Sequence, residues 1–419
     1  MKATTRTLSA LFVAVAVLTL GNGLFGILLA LRMTVEQQPA WATGLVLGVY
    51  FAGFIPATLY GRGVIARVGH IRAFAAFAAI AAAAVLALPI ATGLWAWVLL
   101  RAVIGGCLAI LFMTVESWLN ARTENRLRGR VLGLYQAAIF VSVSTAQLLV
   151  GFGDPTSFVL FSAVAMLYAL SLVPLALTRA EPPALSAPTR LRLGQLIRLS
   201  PLAVAVAMGA GVINAAFQNM GPVFALGVGM STLEAGRFMA MGVLSGLVMQ
   251  WPFGWLSDRF DRRHVVAGIA ISASVAALAL AVGALLGASQ WLFVLAAAFG
   301  GFSFALYPQA VAHANDYAEP HTLVSMSAGL LLANGLGAMA SPLVAGLAID
   351  AFGPPALFVM IGVVSGALGA FAIYRMGRRD PKPVAQQTPF TPVPDTTPEA
   401  AALDPRAEAR AAPETETAL

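Results

Sequence analysis

Charged residues are scarce in this sequence of 419 residues. Lys, Arg, Asp and Glu together make up 10% of the chain, whereas 59% of the residues are hydrophobic, and the mean hydropathy is +0.84. Soluble globular domains carry about 25% charged residues. The scarcity of charge excludes an ordinary soluble domain and predicts an integral membrane protein.

Cysteine and catalytic groupings are also scarce. The single cysteine, Cys107, excludes a disulfide within the chain, and the four histidines fall in predicted loops or at the ends of apolar runs. The sequence contains no phosphate-binding loop, no metal-ligand cluster and no nucleophile with an adjacent base. We therefore expect no enzymatic activity, no cofactor, no metal site and no nucleotide as an energy source.

Long apolar runs are what the sequence has in abundance. A run of about 20 residues crosses the ~30 Å hydrocarbon layer as an α-helix, whereas the strands of a membrane β-barrel are alternating segments of about ten residues. We count twelve such runs, at residues 8–31, 42–61, 73–91, 94–115, 131–153, 157–177, 201–226, 233–256, 265–287, 291–312, 325–349 and 356–374. The sequence therefore predicts an all-α polytopic membrane protein with twelve transmembrane helices.

The positive charges predict the orientation of these spans. If the N-terminus is inside, the inner connections and flanks as far as Lys382 hold 20 Lys and Arg residues, and the outer connections hold only Arg32 and Arg237. Lys and Arg accumulate in cytoplasmic loops, so both termini should be cytoplasmic in a protein of the inner membrane. The net charge of +7 comes from these loops, so we expect the lipid bilayer as a partner and no nucleic acid.

The connections divide the chain into two halves. We predict a first six-helix bundle over residues 1–178, a cytoplasmic linker over 179–199 with a basic interfacial helix at 191–199, and a second bundle over 200–377. Similar fragments starting at Gly48 and Gly242, and at Gln147 and Pro342, recur at offsets of 194 and 195 residues. Residues 378–419 show no apolar periodicity and predict a disordered cytoplasmic tail.

One charged loop carries a family resemblance. The stretch Gly-Trp-Leu-Ser-Asp-Arg-Phe-Asp-Arg-Arg at 254–263 resembles the cytoplasmic loop signature of the major facilitator superfamily (MFS), with Asp261 where glycine is commoner. The loop at 61–72 is a weaker copy, with Ala66 in place of the usual aspartate.

The resemblance implies the MFS fold of two six-helix bundles in a monomer. It also implies a secondary transporter that moves a small solute by alternating access, driven by a proton gradient. The alternative is a non-transporting sensor or assembly scaffold of the same fold.

The resemblance also implies a latch between the two halves at this loop. Asp258 would face the N-terminal end of the fifth span near Arg130, where a carboxylate gains about 0.3–1 kcal/mol from the helix dipole. Arg259 would reach Asp316 at the end of the tenth span. The alternative is that these charges only set the topology. The predicted gating residues are Gly254, Asp258, Arg259, Arg262, Arg263, Arg67 and Asp316.

Arg101 lies roughly 10 Å below the outer end of the fourth span, at ~1.5 Å per residue. An ionisable side chain at that depth is a functional candidate. Residues 101–107 resemble the R-x-x-x-G segment of the family's fourth span, which implies proton coupling or substrate handling, although Ile104 replaces the usual Gln. Because arginine stays protonated, Arg101 would attract an anionic group or act on a nearby acid. Alternatively, Arg101 reaches the outer surface or caps backbone carbonyls.

Glu116 lies further along the same helix, about 60° round from Arg101 and close to the cytoplasmic boundary. It would either bind protons as the cavity opens inward or pair with Arg67 or Arg130.

Other polar residues fall on spans that line the central cavity in the family. Their amide and hydroxyl groups suit a neutral or zwitterionic substrate. Equally, such residues hold neighbouring helices together within lipid for about 0.6 kcal/mol each. The candidates are Asn22, Asn214, Gln218, Tyr307 and Gln309.

Overall fold

The fold is helical throughout the residues that the computed structural model describes, which are 2–91, 93–178, 193–318, 322–378, 382–383, 386–401 and 403–404. The helices of the first half are α1 (Lys2–Val35), α2 (Ala40–Val68), α3 (His70–Ala87), α4 (Leu94–Arg122), α5 (Arg128–Leu149), α6 (Phe158–Leu170) and α7 (Leu172–Ala176). Those that follow are α8 (Leu193–Leu199), α9 (Pro201–Gly227), α10 (Thr232–Ser257), α11 (Arg262–Leu285), α12 (Ser289–Ser303), α13 (Leu306–Asn315), α14 (Leu323–Phe352), α15 (Ala356–Met376) and α16 (Pro398–Ala401).

The prediction of a twelve-helix membrane protein is confirmed. Eleven described segments are long and apolar enough to cross a membrane, counting α6 with α7 and α12 with α13 as one span each. The remaining predicted span is α10, whose 26 residues reach about 39 Å. Glu234 and Arg237 lower the hydropathy of its first two turns, and Glu234 forms a capping box with Ser231 that defines where the helix begins.

Close helix crossings organise each half. In the first half α2 packs on α4, and a Cβ atom at Gly53 or Gly105 would overlap a backbone carbonyl of the other helix. In the second half α10 packs on α12 in the same way, with Gly300 against the carbonyl of Gly242. The recurrence fits the repeat seen in the sequence. The predicted domain boundaries stay predictions, because residues 179–192 of the linker lie outside the described part of the chain.

The two ends of the helix bundles differ. We call the end formed by loops 62–72, 122–130 and 257–263 the arginine-rich face, and the other end, formed by loops 36–39, 228–231 and 353–355, the opposite face. Towards the opposite face the two halves are in direct contact, α2 with α14 and α5 with α10. The structure is therefore closed at the opposite face.

Two features show how tight this closure is. A Cβ atom at Gly44 would overlap the carbonyl of Pro342, and one at Gly346 would overlap the carbonyl of Ala40. The Asp350 carboxylate of α14 accepts hydrogen bonds from the backbone amides of Ala40, at 2.9 Å, and Trp41, at 2.8 Å. An aspartate thus caps a helix N-terminus across the two halves, at the end of the molecule where the sequence did not predict a latch.

The C-terminal segment, by which we mean the described residues 386–401 and 403–404, differs from the disordered tail that its composition predicts. Its described residues lie at the arginine-rich face, where α16 packs against α4 of the first half and α14 of the second. Val393 and Leu403 are buried and belong to the main hydrophobic core. The segment has no helical periodicity, but its few apolar side chains and its polar groups find partners that only the folded bundles supply. Residues 405–419 lie outside the described part.

Candidate functional site

A cavity of about 230 Å³ lies between the two halves. Its lining comes from both halves and from the C-terminal segment, and it includes Asn22, Tyr50, Arg101, Gln147, Asn214 and Asn334. Aromatic side chains form much of the remaining wall, and the Phe140 and Phe304 rings meet edge to face across the two halves, 5.5 Å apart. An apolar wall with a few convergent polar groups is typical of a small-molecule site.

Arg101 is the basic residue of this lining. Only 4% of the residue is exposed, and its guanidinium carbon lies 4.7 Å from the ring centre of Phe25 and 4.8 Å from that of Tyr50. The crossing of α2 and α4 at Gly105 holds Tyr50 and Arg101 side by side. Among the described residues, the Nε and Nη1 atoms of Arg101 have no hydrogen-bond partner. A buried guanidinium with free donors is suited to bind a carboxylate or phosphate in a bidentate manner.

Three of the predicted amides also line the cavity. Asn22 accepts a hydrogen bond from the Tyr168 hydroxyl at 3.5 Å, and Gln218 is exposed to the cavity. Asn214 is 4% exposed, and its Oδ1 has no partner within the described part of the chain. The first and seventh spans therefore both contribute polar groups to this lining.

The sequence reasoning missed Tyr50, Gln147 and Asn334. Gln147 has an Oε1 atom without a partner among the described residues, and Asn334 donates to the carbonyl of Ala207 at 3.2 Å. A rule that collected every amide within a predicted span would have included Gln147 and Asn334. Tyr50 had no such signal, because its place beside Arg101 depends on the α2–α4 crossing.

Tyr307 and Gln309 lie outside the lining of this cavity. Gln309 is fully buried, accepts a hydrogen bond from the Ser257 hydroxyl at 2.7 Å and donates to the carbonyl of Phe253 at 3.0 Å. These bonds tie α13 to the end of α10. Gln309 thus matches the alternative of an amide that holds helices together.

Glu116 is fully buried in α4 and lies outside the cavity lining, next to the lining residue Thr396. Its carboxylate accepts hydrogen bonds from the Tyr135 hydroxyl at 2.7 Å and from the hydroxyls of Thr396 and Thr397 in the C-terminal segment. The side chains expected to pair with it, Arg67 and Arg130, are both exposed. The carboxylate is therefore held by hydroxyl donors. These partners could not be predicted from the sequence, because two of them lie about 280 positions further along the chain.

The predicted gating loop contacts the C-terminal segment. Asp258 accepts a hydrogen bond from the backbone amide of Phe390 at 2.8 Å. The ring of Phe390 also packs against Gly254, where a Cβ atom would lie 2.5 Å from it. The contact predicted for Asp258, at the start of the fifth span, is thus replaced by one with the chain's own C-terminal residues.

The partner of Asp316 also differs from the prediction. Arg262, which is 1% exposed, pairs with Asp316 at 3.4 Å, whereas the Arg259 guanidinium stacks over the Trp255 ring at 4.0 Å. The prediction that Arg259 contacts Asp316 was therefore wrong. Arg262, three positions further along the chain, makes this contact instead, because it lies in the first turn of α11 and points inward. Burial raises the pKa of Asp316, although Arg262 and two hydrogen bonds from Thr388 oppose the rise.

The other two predicted gating arginines, Arg263 and Arg67, lie in different surroundings. Arg263 pairs with Asp261 at 2.7 Å, and Asp261 also caps the N-terminus of α11 by accepting from the Arg263 amide. Arg67 is exposed at the end of α2. Neither contact joins the two halves.

Known proteins share both the fold and the sequence pattern. The model of the family described as Major Facilitator Superfamily matches residues 11–286 and 247–409, which together span most of the chain. The chain belongs to the major facilitator superfamily. Its relatives in this superfamily include an "Uncharacterized MFS-type transporter YcaD" from Escherichia coli O17:K52:H18. This relative is 30% identical over 390 residues, which cover 92% of the chain and 100% of the relative. A protein of the same name from Salmonella enteritidis PT4 is 29% identical over 391 residues, with the same coverage.

Solved structures of the superfamily have the same fold. A mutant of the nucleoside transporter NupG superposes with a TM-score of 0.76 at 14% identity, over 88% of this chain and 100% of that one. A bacterial homologue of the lysosomal transporter Spinster, in an inward-facing and occupied conformation, superposes with a TM-score of 0.70 at 18% identity, over 88% and 97%. The chain is thus a multi-pass membrane protein of a transporter family, which implies a small-molecule substrate.

Proposed function

We propose that this MFS member is a secondary active transporter for a small organic solute that carries a carboxylate or phosphate group. The observation that carries the proposal is the buried Arg101 guanidinium, with its Nε and Nη1 donors free toward the cavity among the described residues. Arg101 shares the lining with Asp395 but forms no ion pair among the described residues. Leaving a buried charge without a partner is costly, so this arginine is best explained by a ligand that neutralises it. Asn214 and Gln147 add acceptor atoms that orient the uncharged part of the solute.

We place the arginine-rich face in the cytoplasm. The excess of Lys and Arg in its loops supports this orientation, which also makes both termini cytoplasmic. With the opposite face closed by α2–α14 and α5–α10, a solute would reach the cavity from the cytoplasmic side in this arrangement of the helices. Alternating access would then proceed by rocking of the two halves around the cavity.

The proposed energy source is a proton gradient. Arginine does not release its proton at relevant pH, so Arg101 cannot carry the coupling proton itself. Glu116 is a fully buried carboxylate, and the Thr396 hydroxyl that donates to it belongs to the cavity lining. Its hydroxyl partners are neutral groups that permit both its protonated and its ionised form. We therefore assign proton binding to Glu116 and solute binding to Arg101.

A flux assay in proteoliposomes tests the function. Pooled labelled metabolites, half with and half without an anionic group, are offered under an imposed proton gradient. We expect uptake from the anionic pool, no uptake by Arg101→Ala, and a weak remnant in Arg101→Lys, which keeps the charge and loses the planar fork. Arg237→Ala is the matched control, because Arg237 is an exposed arginine outside the cavity lining.

Three outcomes would contradict the proposal. Full transport by Arg101→Ala would show that Arg101 does not bind the solute. Uptake from the neutral pool alone would exclude an anionic substrate. Absence of flux from both pools would favour the sensor or scaffold.

A further inference from the structure

The C-terminal segment is held by the second half of the molecule at its first residues. Asp316 accepts hydrogen bonds from the backbone amide of Thr388 at 2.9 Å and from its hydroxyl at 3.0 Å. Arg262 donates to the carbonyl of Thr388, and Asp258 accepts from the amide of Phe390. Two charged residues of the loop signature, Asp258 and Arg262, thus bind the backbone of the C-terminal segment.

Its later residues are held by the first half. Glu116 accepts from the hydroxyls of Thr396 and Thr397, and Arg62 at the end of α2 forms an ion pair with Glu399. Glu399 is 2% exposed. The segment therefore bridges the two halves at the arginine-rich face.

Between these two attachments the segment enters the cavity. Asp395 and Thr396 form part of the same lining as Arg101 and Asn214. Asp395 also lines the smaller opening between α2 and α14, together with Pro398. The chain's own residues thus occupy the way from the arginine-rich face to the cavity.

The sequence of the segment suits this placement. It carries acidic residues, Asp395, Glu399 and Asp404, opposite a face rich in arginine. Four prolines between residues 389 and 398 restrict the free chain to extended conformations, so that less conformational entropy is lost on docking. Buried Val393 and Leu403 add apolar contact. Charge, stiffness and apolar anchors all favour the docked position.

We propose that the C-terminal segment forms an autoinhibitory plug that closes the arginine-rich mouth of the cavity and must leave it before a solute can pass. The proposal rests on the proposed transport function, because a plug matters only if the cavity exchanges solute. Docked, the segment ties Asp258 and Asp316 of one half to Glu116 and Arg62 of the other, so it also restrains the rocking of the two halves. Release of the segment would open the cavity and would also leave Asp258 and Asp316 able to form other contacts.

Access of a reagent to the cavity tests the plug without any transport measurement. In the full-length chain with Cys107→Ser, Gln218→Cys reports the cavity, and a charged maleimide that does not cross membranes is applied at the arginine-rich face. Glu399→Arg and Arg62→Glu each place like charges together at the ion pair, and the double variant Arg62→Glu/Glu399→Arg restores an opposite-charge pair. We expect each single variant to raise the labelling rate about tenfold, as a shift of ~1.4 kcal/mol in the docking equilibrium would do. The double variant should return the rate close to that of the parent.

A cysteine outside the plug shows whether a variant has raised the labelling rate merely by destabilising the whole fold. Arg126→Cys, on an exposed loop, should be labelled at one rate in all four backgrounds, and all four should have the same melting temperature. Labelling of Gln218→Cys at the parental rate in both single variants would overturn the proposal. So would a double variant that is labelled as fast as the singles.

A cross-linking experiment covers the case in which charge reversal unfolds the protein. Arg62→Cys with Glu399→Cys should form a disulfide on mild oxidation in native membranes, whereas Arg67→Cys with Glu399→Cys should not, because Arg67 is an exposed residue on the same helix. Equal yields from the two pairs would show that the segment does not dock here. Because neither readout needs a substrate, failure of the flux assay leaves this test intact.

Discussion

Buried polar residues in this protein fall into two groups according to whether the protein satisfies them. Gln309 uses both ends of its amide within the protein, whereas Arg101, Asn214 and Gln147 have buried atoms without partners among the described residues. An unsatisfied buried polar group costs about 1–3 kcal/mol. The residues of the first group hold the fold together, and those of the second group that line the cavity are available to a ligand.

This division predicts opposite effects for two glutamines. Gln309→Leu leaves the Ser257 hydroxyl and the Phe253 carbonyl without their partner, so it should destabilise the protein by about 1–3 kcal/mol. Transport per folded molecule should change little. Gln218→Leu, which alters a side chain exposed to the cavity, should leave the melting temperature unchanged and reduce transport severalfold.

Thermal melting in detergent and flux of the identified substrate measure the two properties. The converse pattern, with Gln218→Leu the less stable variant and Gln309→Leu the less active one, would reverse the assignment of these residues.

The depth of a residue was predictable, and its direction was not. Hydropathy places Arg101 deep in the fourth span, because the run of apolar residues around it has a definite length. Whether an amide faces the cavity depends on helix rotation, and neighbouring positions differ by about 100°. Asn214 and Gln218 lie one turn apart and share the cavity face. Gln309 lies on a short helix after the break between α12 and α13, so its direction could not be read from span periodicity.

At the scale of elements, the crossing of α2 and α4 determines the geometry of the site. Gly53 and Gly105 let the two backbones touch, and this contact sets the distance between Tyr50 and Arg101. The helices could have been predicted from their apolar runs. The crossing could not, since glycine is frequent throughout the sequence and only some glycines face another backbone.

A pair of neighbouring glycines tests this contact. Gly105→Ala should force α2 and α4 apart, because its Cβ atom would overlap the Tyr50 carbonyl. Overpacking of this kind costs roughly 1–3 kcal/mol. Gly106→Ala is the control, since its Cβ atom would lie 3.4 Å from the nearest atom, the carbonyl oxygen of Gly53.

We expect a lower melting temperature for Gly105→Ala and an unchanged or higher one for Gly106→Ala, because alanine favours helix. Equal melting temperatures would mean that the α2–α4 contact yields without strain.

The C-terminal segment shows why some elements escape prediction. Its composition matches that of disordered chains, because it has few apolar residues and no period. Its contacts depend on residues more than 60 positions away, such as Asp316 and Glu116. The spacing of its charged residues identified the loop signature, but the predicted partners of Asp258 and Asp316 were not the segment that they contact. The motif identifies charged residues by spacing, and spacing does not say which chain segment they meet.

At the scale of the whole molecule, the two halves are held together at the opposite face by backbone contacts and one carboxylate. Asp350 of the second half caps the N-terminus of α2 in the first. An anion at a helix N-terminus is worth about 0.3–1 kcal/mol at exposed sites. This is enough to bias the closure of the opposite face and small enough to be reversed in each cycle of the proposed alternating access.

Loss of the Asp350 charge should therefore shift the equilibrium between a closed and a separated opposite face. Asp350→Asn should raise the fraction with a separated opposite face about two- to fivefold, which corresponds to the loss of about 0.3–1 kcal/mol. Spin labels at Gln38→Cys and Leu286→Cys in the Cys107→Ser background report the separation, since both positions are exposed at this face.

Asp350→Glu keeps the negative charge and serves as the control. A distance distribution that is the same for Asp350→Asn and the parent would show that the backbone contacts alone close this face.

The position of residues 386–404 after all twelve helices has a consequence for biosynthesis. Domains form in the order of translation, with the N-terminal part first. Asp258, Asp316, Arg62 and Glu116 come from four separate helices or their ends, and all of them are translated before the ribosome makes Thr388. The segment can therefore dock only on a finished pair of bundles. A newly made protein would remain open until its assembly is complete, and its closing would mark the molecule as correctly folded.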